Sequence, residues 1–231
     1  MDMNERKTSE ISQFDHIETW VFDLDNTLYP SACRLFDQVD HRIGQFIVEK
    51  LDLDAKEARV LQKRYFKEHG TTLSGLMKLH DTNPDEFLDY VHDIDRSAIQ
   101  PSQALNEALG RLDGRKMIFT NGSADHAHKV MERLEVGHHF DVVFDIAAAN
   151  YLPKPDPATY RALIDKHAIE PSRAVLIDDI SHNLRPAADL GMTTVWVRTE
   201  EAWAKPEPEA DWLDHIADDL ASWLQEITAR G

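Results

Sequence analysis

The sequence predicts an α/β protein built on a Rossmann-like, doubly wound parallel sheet. Short apolar runs of strand length alternate with amphipathic helical patterns after residue 101. Turn-type residues follow most of these runs. Residues 31–101, in contrast, carry helical patterns and no convincing strand. We therefore expect one α/β core that is interrupted after its first strand by an all-helical insert.

The expected core strands are short and strongly apolar. The first is WVF at residues 20–22, and the later ones lie in KMIFT, DVVFDI, AVLID and TTVWV. Between them, apolar residues such as Leu105, Val130 and Leu163 recur at helical spacing, and Leu220 belongs to a closing helix. Strands separated in this way by helices are typical of parallel sheets that are covered on both faces.

The insert shows clear helical signals. Apolar residues recur with the period of a helix at Phe36, Val39, Ile43 and Ile47. In NPDEF, Asn83 is a suitable N-cap, Pro84 suits the first helical position, and Glu86 would close a capping box. The predicted organisation is a polar arm at 1–14, a core formed by 15–30 together with 102–231, and a helical insert at 31–101.

The charge balance limits the partners. The formal net charge is −17, with 42 acidic and 25 basic residues, which argues against binding to nucleic acid or to an anionic membrane. No apolar run approaches the length of a membrane span, and the N-terminus is polar, so we expect a cytoplasmic protein. The single cysteine, Cys33, allows no intrachain disulfide. Nothing in the pattern specifies an oligomeric state.

Polar side chains follow four of the predicted strands. In chain order they are Asp23 with Asp25, Thr120 with Asn121, Lys154, and Asp178 with Asp179. Each motif has another interpretation when taken alone, since FTN is equally typical of a helix N-cap and PKPDP of a turn. Ligands of open α/β sheets bind beyond the carboxyl ends of the strands, however, so we expect these groups to meet in one pocket.

Such a pocket has the groups that are needed to bind a phosphate. Several carboxylates close together repel one another unless a multivalent cation and a basic side chain are present. Mg²⁺ prefers hard oxygen ligands, Lys154 supplies a positive charge, and Thr120 and the Asn121 amide supply donors. With a phosphate among them, one carboxylate can attack phosphorus and a second can transfer protons.

These motifs resemble those of the haloacid-dehalogenase-like (HAD) phosphohydrolase superfamily. The matching segments are DLDNT, FTN, the lysine of PKPDP, and IDDISHN, and the resemblance covers nearly everything after the N-terminal arm. It implies that Asp23 is the nucleophile and that Asp25 is the acid/base, with a backbone carbonyl that also ligates Mg²⁺. It further implies that Thr120 and Lys154 bind phosphate and that the insert is a cap over the site.

The closing acidic pair completes the implied metal site, which comprises Asp23, Asp25, Asp178 and Asp179. The resemblance favours Asp179 as a direct ligand and Asp178 as a residue that orients it, although these two roles can be exchanged. Asn183 is expected to orient the pair through hydrogen bonds, and His182 is either a second orienting residue or a surface residue.

Three segments, DLDNTLYP, YFKEHGTTLSGL and NPDEFLDYVHDID, are similar to the pyrimidine 5'-nucleotidase branch. That similarity implies a Mg²⁺-dependent phosphomonoesterase whose substrate is a small phosphorylated metabolite, namely a pyrimidine nucleoside monophosphate. The alternatives are a phosphatase or phosphomutase for a sugar phosphate or phosphoglycolate, and a non-catalytic HAD-like binding protein. A dehalogenase is disfavoured by Asp25, because the departure of halide needs no acid.

The remaining candidates are histidines. His126 and His128 lie two residues apart on a predicted helix, so they point to different faces. We expect both to be surface residues rather than metal ligands.

Overall fold

The computed structural model describes residues 13–200, 204–207 and 210–229. The predicted polar arm at 1–14 lies almost entirely outside the described residues. Within the part of the chain that the structure describes, no helix combines the length and the apolarity needed to cross a bilayer.

One six-stranded parallel sheet forms the centre of the described structure. Its strands are β1 (Thr19–Phe22), β2 (Arg115–Phe119), β3 (Val142–Phe144), β4 (Ala174–Asp178), β5 (Thr193–Val197) and β6 (His215–Ala217). Their spatial order is β3-β2-β1-β4-β5-β6, so the chain winds outward in both directions from β1. The predicted Rossmann-like fold class is confirmed. Strand β6 was not predicted, because it has only three residues and Ile216 at its centre is exposed.

The described helices are α1 (Leu35–Leu51), α2 (Ala55–His69), α3 (Thr72–His80), α4 (Pro84–Val91), α5 (Gln103–Arg111), α6 (Ala124–Leu134), α7 (Pro157–His167), α8 (Ser181–Asp189) and α9 (Leu220–Thr228). The first four follow β1 without an intervening strand, as the sequence predicts for the insert.

Strand β1 is buried on both faces. Its residues pair with β2 on one side and with β4 on the other, for example Phe22 with Ile118 and with Ile177. Phe22 packs in a cluster with helices α5, α6 and α9, whereas Val21 packs with α7 and α8 on the opposite face. Adjacent side chains of a strand point to opposite faces, so two helical layers bury the run WVF completely.

Helices α1 to α4 have a hydrophobic cluster of their own, which includes Ile47, Tyr65, Leu76 and Phe87. Ile146, from the loop after β3, joins this cluster and connects it to the core. Ile99, in contrast, packs within the α/β core. The limits of the insert at residues 31 and 101 stay a prediction.

The start of α4 agrees with the sequence in part. Asn83 is the N-cap, its side chain accepts hydrogen bonds from the backbone of Asp85 and Glu86, and Pro84 occupies the first helical position. The expected capping box is wrong. The Glu86 carboxylate accepts hydrogen bonds from Lys50 of α1, at 3.0 and 3.2 Å, because tertiary packing brings that ammonium group within its reach.

Candidate active site

A cavity of about 180 Å³ lies between the carboxyl ends of the central strands and the insert. The predicted site residues that line it are Asp23, Asp25, Thr120, Asn121, Lys154, Asp179 and Asn183. Asp178 is fully buried and contacts two of them, Lys154 and Asn183. The structure thus brings together all of the predicted residues at the point where the strand order reverses, between β1 and β4.

Lys154 connects three strand ends. Its Nζ donates to Asp23 Oδ1 and to Asp178 Oδ2, each at 2.7 Å, and to the carbonyl oxygen of Phe119 at 2.9 Å. Burial by itself would lower the pKa of Lys154, but Asp178 and Asp23 outweigh burial and raise that pKa above its ordinary value. The ammonium group is therefore a fixed positive charge at the floor of the cavity.

Asp23, which directly follows β1, carries a perturbed carboxyl group. Burial and the nearby Asp178 raise the pKa of Asp23 to about 7, against the opposing effect of Lys154. The side chain is only 7% exposed. A second cation beside Asp23 would favour its carboxylate form, so binding of a further positive charge at this site is favourable.

Asp178 and Asp179 differ in the hydrogen bonds that their carboxyl oxygens accept. Asp178 accepts from the Ile180 N–H at 2.8 Å, from Asn183 Nδ2 at 3.1 Å on each oxygen, and from Lys154. Asp179 Oδ2, in contrast, is buried and has no hydrogen-bond partner among the described residues. Burial and the neighbouring Asp178 raise the pKa of Asp179 to about 9.

These carboxylates fit a hard divalent cation. One oxygen from each of Asp23, Asp178 and Asp179 lies within 4.8 Å of the others. A buried carboxylate oxygen without a partner is costly, and a bound cation would remove that cost at Asp179. The set consists of oxygen donors only, which suits Mg²⁺ better than a soft metal.

Asp25 lies in a different environment from Asp23. Its Oδ1 accepts a hydrogen bond from the Tyr29 hydroxyl at 2.5 Å and lies 2.8 Å from His126 Nε2. Burial by itself would raise the pKa of Asp25, but His126 and Tyr29 outweigh it and bring that pKa to about 2. The two aspartates of DLDNT therefore have strongly different proton affinities, and in the free protein their order is the reverse of the one that an ionised nucleophile at Asp23 and a protonated acid at Asp25 require.

The prediction that His126 lies on the surface is wrong, because its side chain is completely buried in α6. His128 is exposed, as predicted. The spacing contained the signal that we missed: His126 lies four residues before Val130 and therefore on the same helical face, which packs against the core.

The side chain of Asn121 forms two hydrogen bonds with the backbone of Lys154. Asn121 Nδ2 donates to the Lys154 carbonyl at 3.2 Å, and the Lys154 N–H donates to Asn121 Oδ1 at 2.8 Å. The Thr120 hydroxyl oxygen accepts from the Gly122 N–H at 2.9 Å. The predicted contacts of Thr120 and Asn121 with phosphate stay a prediction.

Asn183 contacts the acidic pair, whereas His182 does not. His182 is exposed, and its ring stacks against Trp212 with the ring centres 6.4 Å apart. An orienting role for His182 is therefore wrong, since its direction on α8 places it on the outer face of that helix.

The insert side of the cavity is mostly apolar. Its wall is formed chiefly by Phe36, Val39, Ile43, Phe66, Leu73, Phe87, Leu88 and Val91. Thr71 and Thr72 also line it, but the Thr71 hydroxyl pairs with Ser74 and the Thr72 hydroxyl donates to the Gln62 carbonyl. The cavity thus has a polar floor in the core and an apolar roof in the insert.

Comparison with known proteins identifies the family of the chain. The family described as haloacid dehalogenase-like hydrolase matches residues 17–191. Phosphate metabolism protein 8 of Saccharomyces cerevisiae is 28% identical over 76% of this chain and 60% of its own length. Glyceraldehyde 3-phosphate phosphatase of Methanopyrus kandleri is 27% identical over 79% of this chain and 84% of its own length. Bifunctional epoxide hydrolase 2 of Rattus norvegicus is 31% identical, over 45% of this chain and 19% of its own length.

Solved structures show the same fold. A HAD phosphatase from Thermococcus onnurineus has a TM-score of 0.61 at 20% identity, over 92% of this chain and 98% of its own. L-2-haloacid dehalogenase from Xanthobacter autotrophicus has a TM-score of 0.60 at 14% identity, over 93% of this chain and 100% of its own. The family match covers well over half of the chain and includes every strand end that contributes to the cavity floor. The chain therefore belongs to the haloacid dehalogenase-like hydrolase family.

Proposed function

We propose that the protein is a Mg²⁺-dependent phosphomonoesterase that works through an aspartyl-phosphate on Asp23. The observation that carries this proposal is the cavity floor, where Lys154 bridges Asp23 and Asp178 beside the unpaired oxygen of Asp179. Such a floor provides one fixed positive charge and a place for a second one, which is what a dianionic phosphate requires.

The chemistry follows from the two aspartates of DLDNT. Lys154 holds Asp23 Oδ1, so Oδ2 is the oxygen that attacks phosphorus. The Oδ2–P bond forms, the ester P–O bond breaks, and the departing oxygen takes a proton from Asp25. Water then attacks phosphorus while Asp25 takes its proton, the Oδ2–P bond breaks, and inorganic phosphate leaves.

Asp25 must hold a proton in the first of these steps. In the free protein its pKa is about 2, so it is a carboxylate at neutral pH. A bound phosphate brings negative charge beside Asp25 and raises its pKa through like-charge repulsion. The same side chain, after it has given up the proton, is the base that the second step requires.

Mg²⁺ fits beside Asp23 and Asp179. We propose Asp179 as a direct ligand, because its Oδ2 has no hydrogen-bond partner among the described residues, and Asp178 as an orienting residue, because its oxygens already accept hydrogen bonds. The resemblance to HAD enzymes adds the backbone carbonyl of Asp25. When bound, the ion supplies positive charge that offsets the charge of the phosphoryl group.

The apolar roof of the cavity suits a substrate whose leaving group has an apolar face. Phe36, Phe66 and Phe87 provide aromatic rings in a space of about 180 Å³. We therefore propose that UMP and CMP are preferred over AMP and GMP, because a small cavity excludes the larger purine by overpacking. A steric filter of this kind is worth about 1–3 kcal/mol, or roughly 10- to 200-fold.

A small sugar phosphate is the second candidate. It is favoured by the M. kandleri relative, whose name gives glyceraldehyde 3-phosphate as its substrate and which the alignment covers over 84% of its length. Phosphoglycolate, or a sugar phosphate that undergoes a phosphomutase reaction, would bind its phosphate at the same cavity floor. In a mutase, the phosphoryl group on Asp23 returns to another hydroxyl of a sugar phosphate instead of to water.

The deciding experiment measures kcat/KM for UMP, CMP, AMP, glyceraldehyde 3-phosphate, glucose 6-phosphate and phosphoglycolate, with Mg²⁺ and with EDTA. The Asp23→Asn variant, purified in parallel, corrects for contaminating phosphatase. We expect release of phosphate with Mg²⁺ only, and fastest with UMP or CMP. A higher kcat/KM for any non-nucleotide would reject the nucleotide preference and leave the phosphatase.

Two other outcomes separate the remaining alternatives. Isomerised sugar without released phosphate, when the substrate is a hexose 1-phosphate, would indicate a mutase. Binding of these compounds without any turnover would indicate a non-catalytic HAD-like protein.

A further inference from the structure

His126 connects the acid/base aspartate to the segment that leads from the insert back to the core. Its Nε2 lies 2.8 Å from Asp25 Oδ1, and its Nδ1 lies 3.1 Å from Nη2 of Arg96. The imidazole is completely buried. Each ring nitrogen therefore has one defined neighbour in a site from which water is largely excluded.

The chemistry of arginine fixes the tautomer of this histidine. A guanidinium group has donors only, so Nδ1 of His126 accepts a hydrogen bond from Arg96. In a neutral imidazole the other nitrogen then carries the hydrogen, so Nε2–H donates to Asp25. A hydrogen on Nδ1 would instead point at the Arg96 donor and lose both hydrogen bonds.

Arg96 is itself held in place. Its Nη2 also donates to the His92 carbonyl at 2.6 Å, and its Nη1 donates to the Ile94 carbonyl at 3.1 Å. The His92 ring stacks on the His126 ring, with centres 4.4 Å apart and planes inclined by 16°. His92 Nδ1 lies 3.0 Å from the hydroxyl of Ser123, which caps α6. The orientation of His126 is thus fixed from two sides.

We propose that His126 and Arg96 are positioning residues that hold Asp25 for proton transfer, an inference that rests on the proposed phosphatase function. The donors on Asp25, Tyr29 and His126, both act on Oδ1. Among the described residues no side chain donates to Oδ2, so Oδ2 is the oxygen that carries the proton to and from the substrate. Without His126, Tyr29 is the one remaining donor to this carboxyl group among the described residues, and the carboxyl group is free to rotate about that single contact.

The kinetic test uses leaving groups of different quality. The acid matters most for a poor leaving group, so His126→Leu should lower kcat for an alkyl phosphate by about 10- to 100-fold. For p-nitrophenyl phosphate, whose leaving group needs little protonation, the loss should be several-fold smaller, and KM should change little for either substrate. His126→Gln should recover part of the loss, because its amide N–H can replace the Nε2–H donor.

His128→Leu is the matched control, since it makes the same change on the exposed face of the same helix. We expect it to behave as the wild type does. Equal losses for both substrates in His126→Leu would contradict a positioning role and would indicate a structural histidine. A wild type that hydrolyses neither substrate would reject the proposed function, and with it the role in proton transfer.

A spectroscopic measurement tests the arrangement independently of turnover. The ¹⁵N shifts of the His126 ring in the wild-type protein should show an unprotonated Nδ1 and a protonated Nε2. Arg96→Met should weaken that preference and reproduce the leaving-group pattern of His126→Leu. A protonated Nδ1 in the wild type would overturn the inference even if the protein is an active phosphatase.

Discussion

Replacing Asp179 by asparagine is expected to stabilise the metal-free protein while removing its response to Mg²⁺. In the absence of metal, Asp179 is buried and its Oδ2 has no hydrogen-bond partner among the described residues. Its pKa, raised to about 9 by burial and by Asp178, keeps the carboxyl group protonated in the folded state. In the unfolded chain the same group has its ordinary pKa of 3.8 and is ionised at neutral pH.

The magnitude follows from this difference in pKa. About three pKa units separate 3.8 from pH 7, and at 1.36 kcal/mol each they amount to about 4 kcal/mol in favour of the unfolded state. Asparagine has no proton to release, so the variant lacks this contribution in favour of the unfolded state. Side-chain rearrangement and entry of water lower the cost in the metal-free protein, so we expect a gain of about 1–3 kcal/mol in the free energy of unfolding.

The dependence on pH has a defined sign. Below the unfolded pKa of 3.8, Asp179 is protonated in both states and its contribution to stability is fully present. As the pH rises toward about 9, the unfolded chain releases the proton and the folded protein keeps it, so the wild type loses stability relative to the variant. The advantage of Asp179→Asn should therefore grow between about pH 5 and about pH 8.

The assay is urea unfolding in excess EDTA at these two pH values, repeated with excess Mg²⁺. Mg²⁺ should stabilise the wild type and leave Asp179→Asn almost unchanged. Asp178→Asn is the matched control, and it should destabilise the protein by about 3 kcal/mol, because it removes a partner of the buried Lys154. A variant at position 179 that is no more stable than the wild type in EDTA at the higher pH would refute the reasoning, and so would an undiminished response to Mg²⁺.

Three further predictions concern turnover. Asp23→Asn should abolish phosphate release while the circular dichroism stays near that of the wild type, because the amide has nearly the same shape but cannot form the acyl phosphate; steady turnover in the pure variant would remove Asp23 from the role of nucleophile. Asp25→Asn should slow an alkyl phosphate more than p-nitrophenyl phosphate in steady-state assays, and equal losses would count against acid catalysis. Ca²⁺ should inhibit when it replaces Mg²⁺ in the same assay, since it takes more ligands in a looser geometry, and full activity with Ca²⁺ would contradict a tight octahedral site.

The strands of the core were predictable because local signals agreed with the tertiary environment. WVF and AVLID are apolar runs that end in turn-type or acidic residues, and both became fully buried strands. Strand β6 lacks that agreement. It has three residues with an exposed centre, so it is a strand only because β5 provides its hydrogen-bond partners.

The aspartates of the site were predictable from their places at strand ends, and Lys154 from its place in the loop that follows β3. The roles of the side chains that hold them were not, because these roles depend on contacts between distant parts of the chain. Asn121 meets Lys154 across 33 residues, and His126 meets Asp25 across 101. No spacing rule covers such distances. The helical spacing of His126 could have predicted that its side chain is buried, but not that it forms a hydrogen bond with Asp25.

The central position of β1 has a consequence for how the chain folds. Both neighbours of β1 come from much later in the sequence: β2 begins at Arg115, and β4 begins at Ala174. During synthesis, β1 must therefore wait for both partners, while helices α1 to α4 can already pack around their own hydrophobic cluster. We expect the insert to become ordered first and the site around Asp23 to form only after Asp178 has left the ribosome.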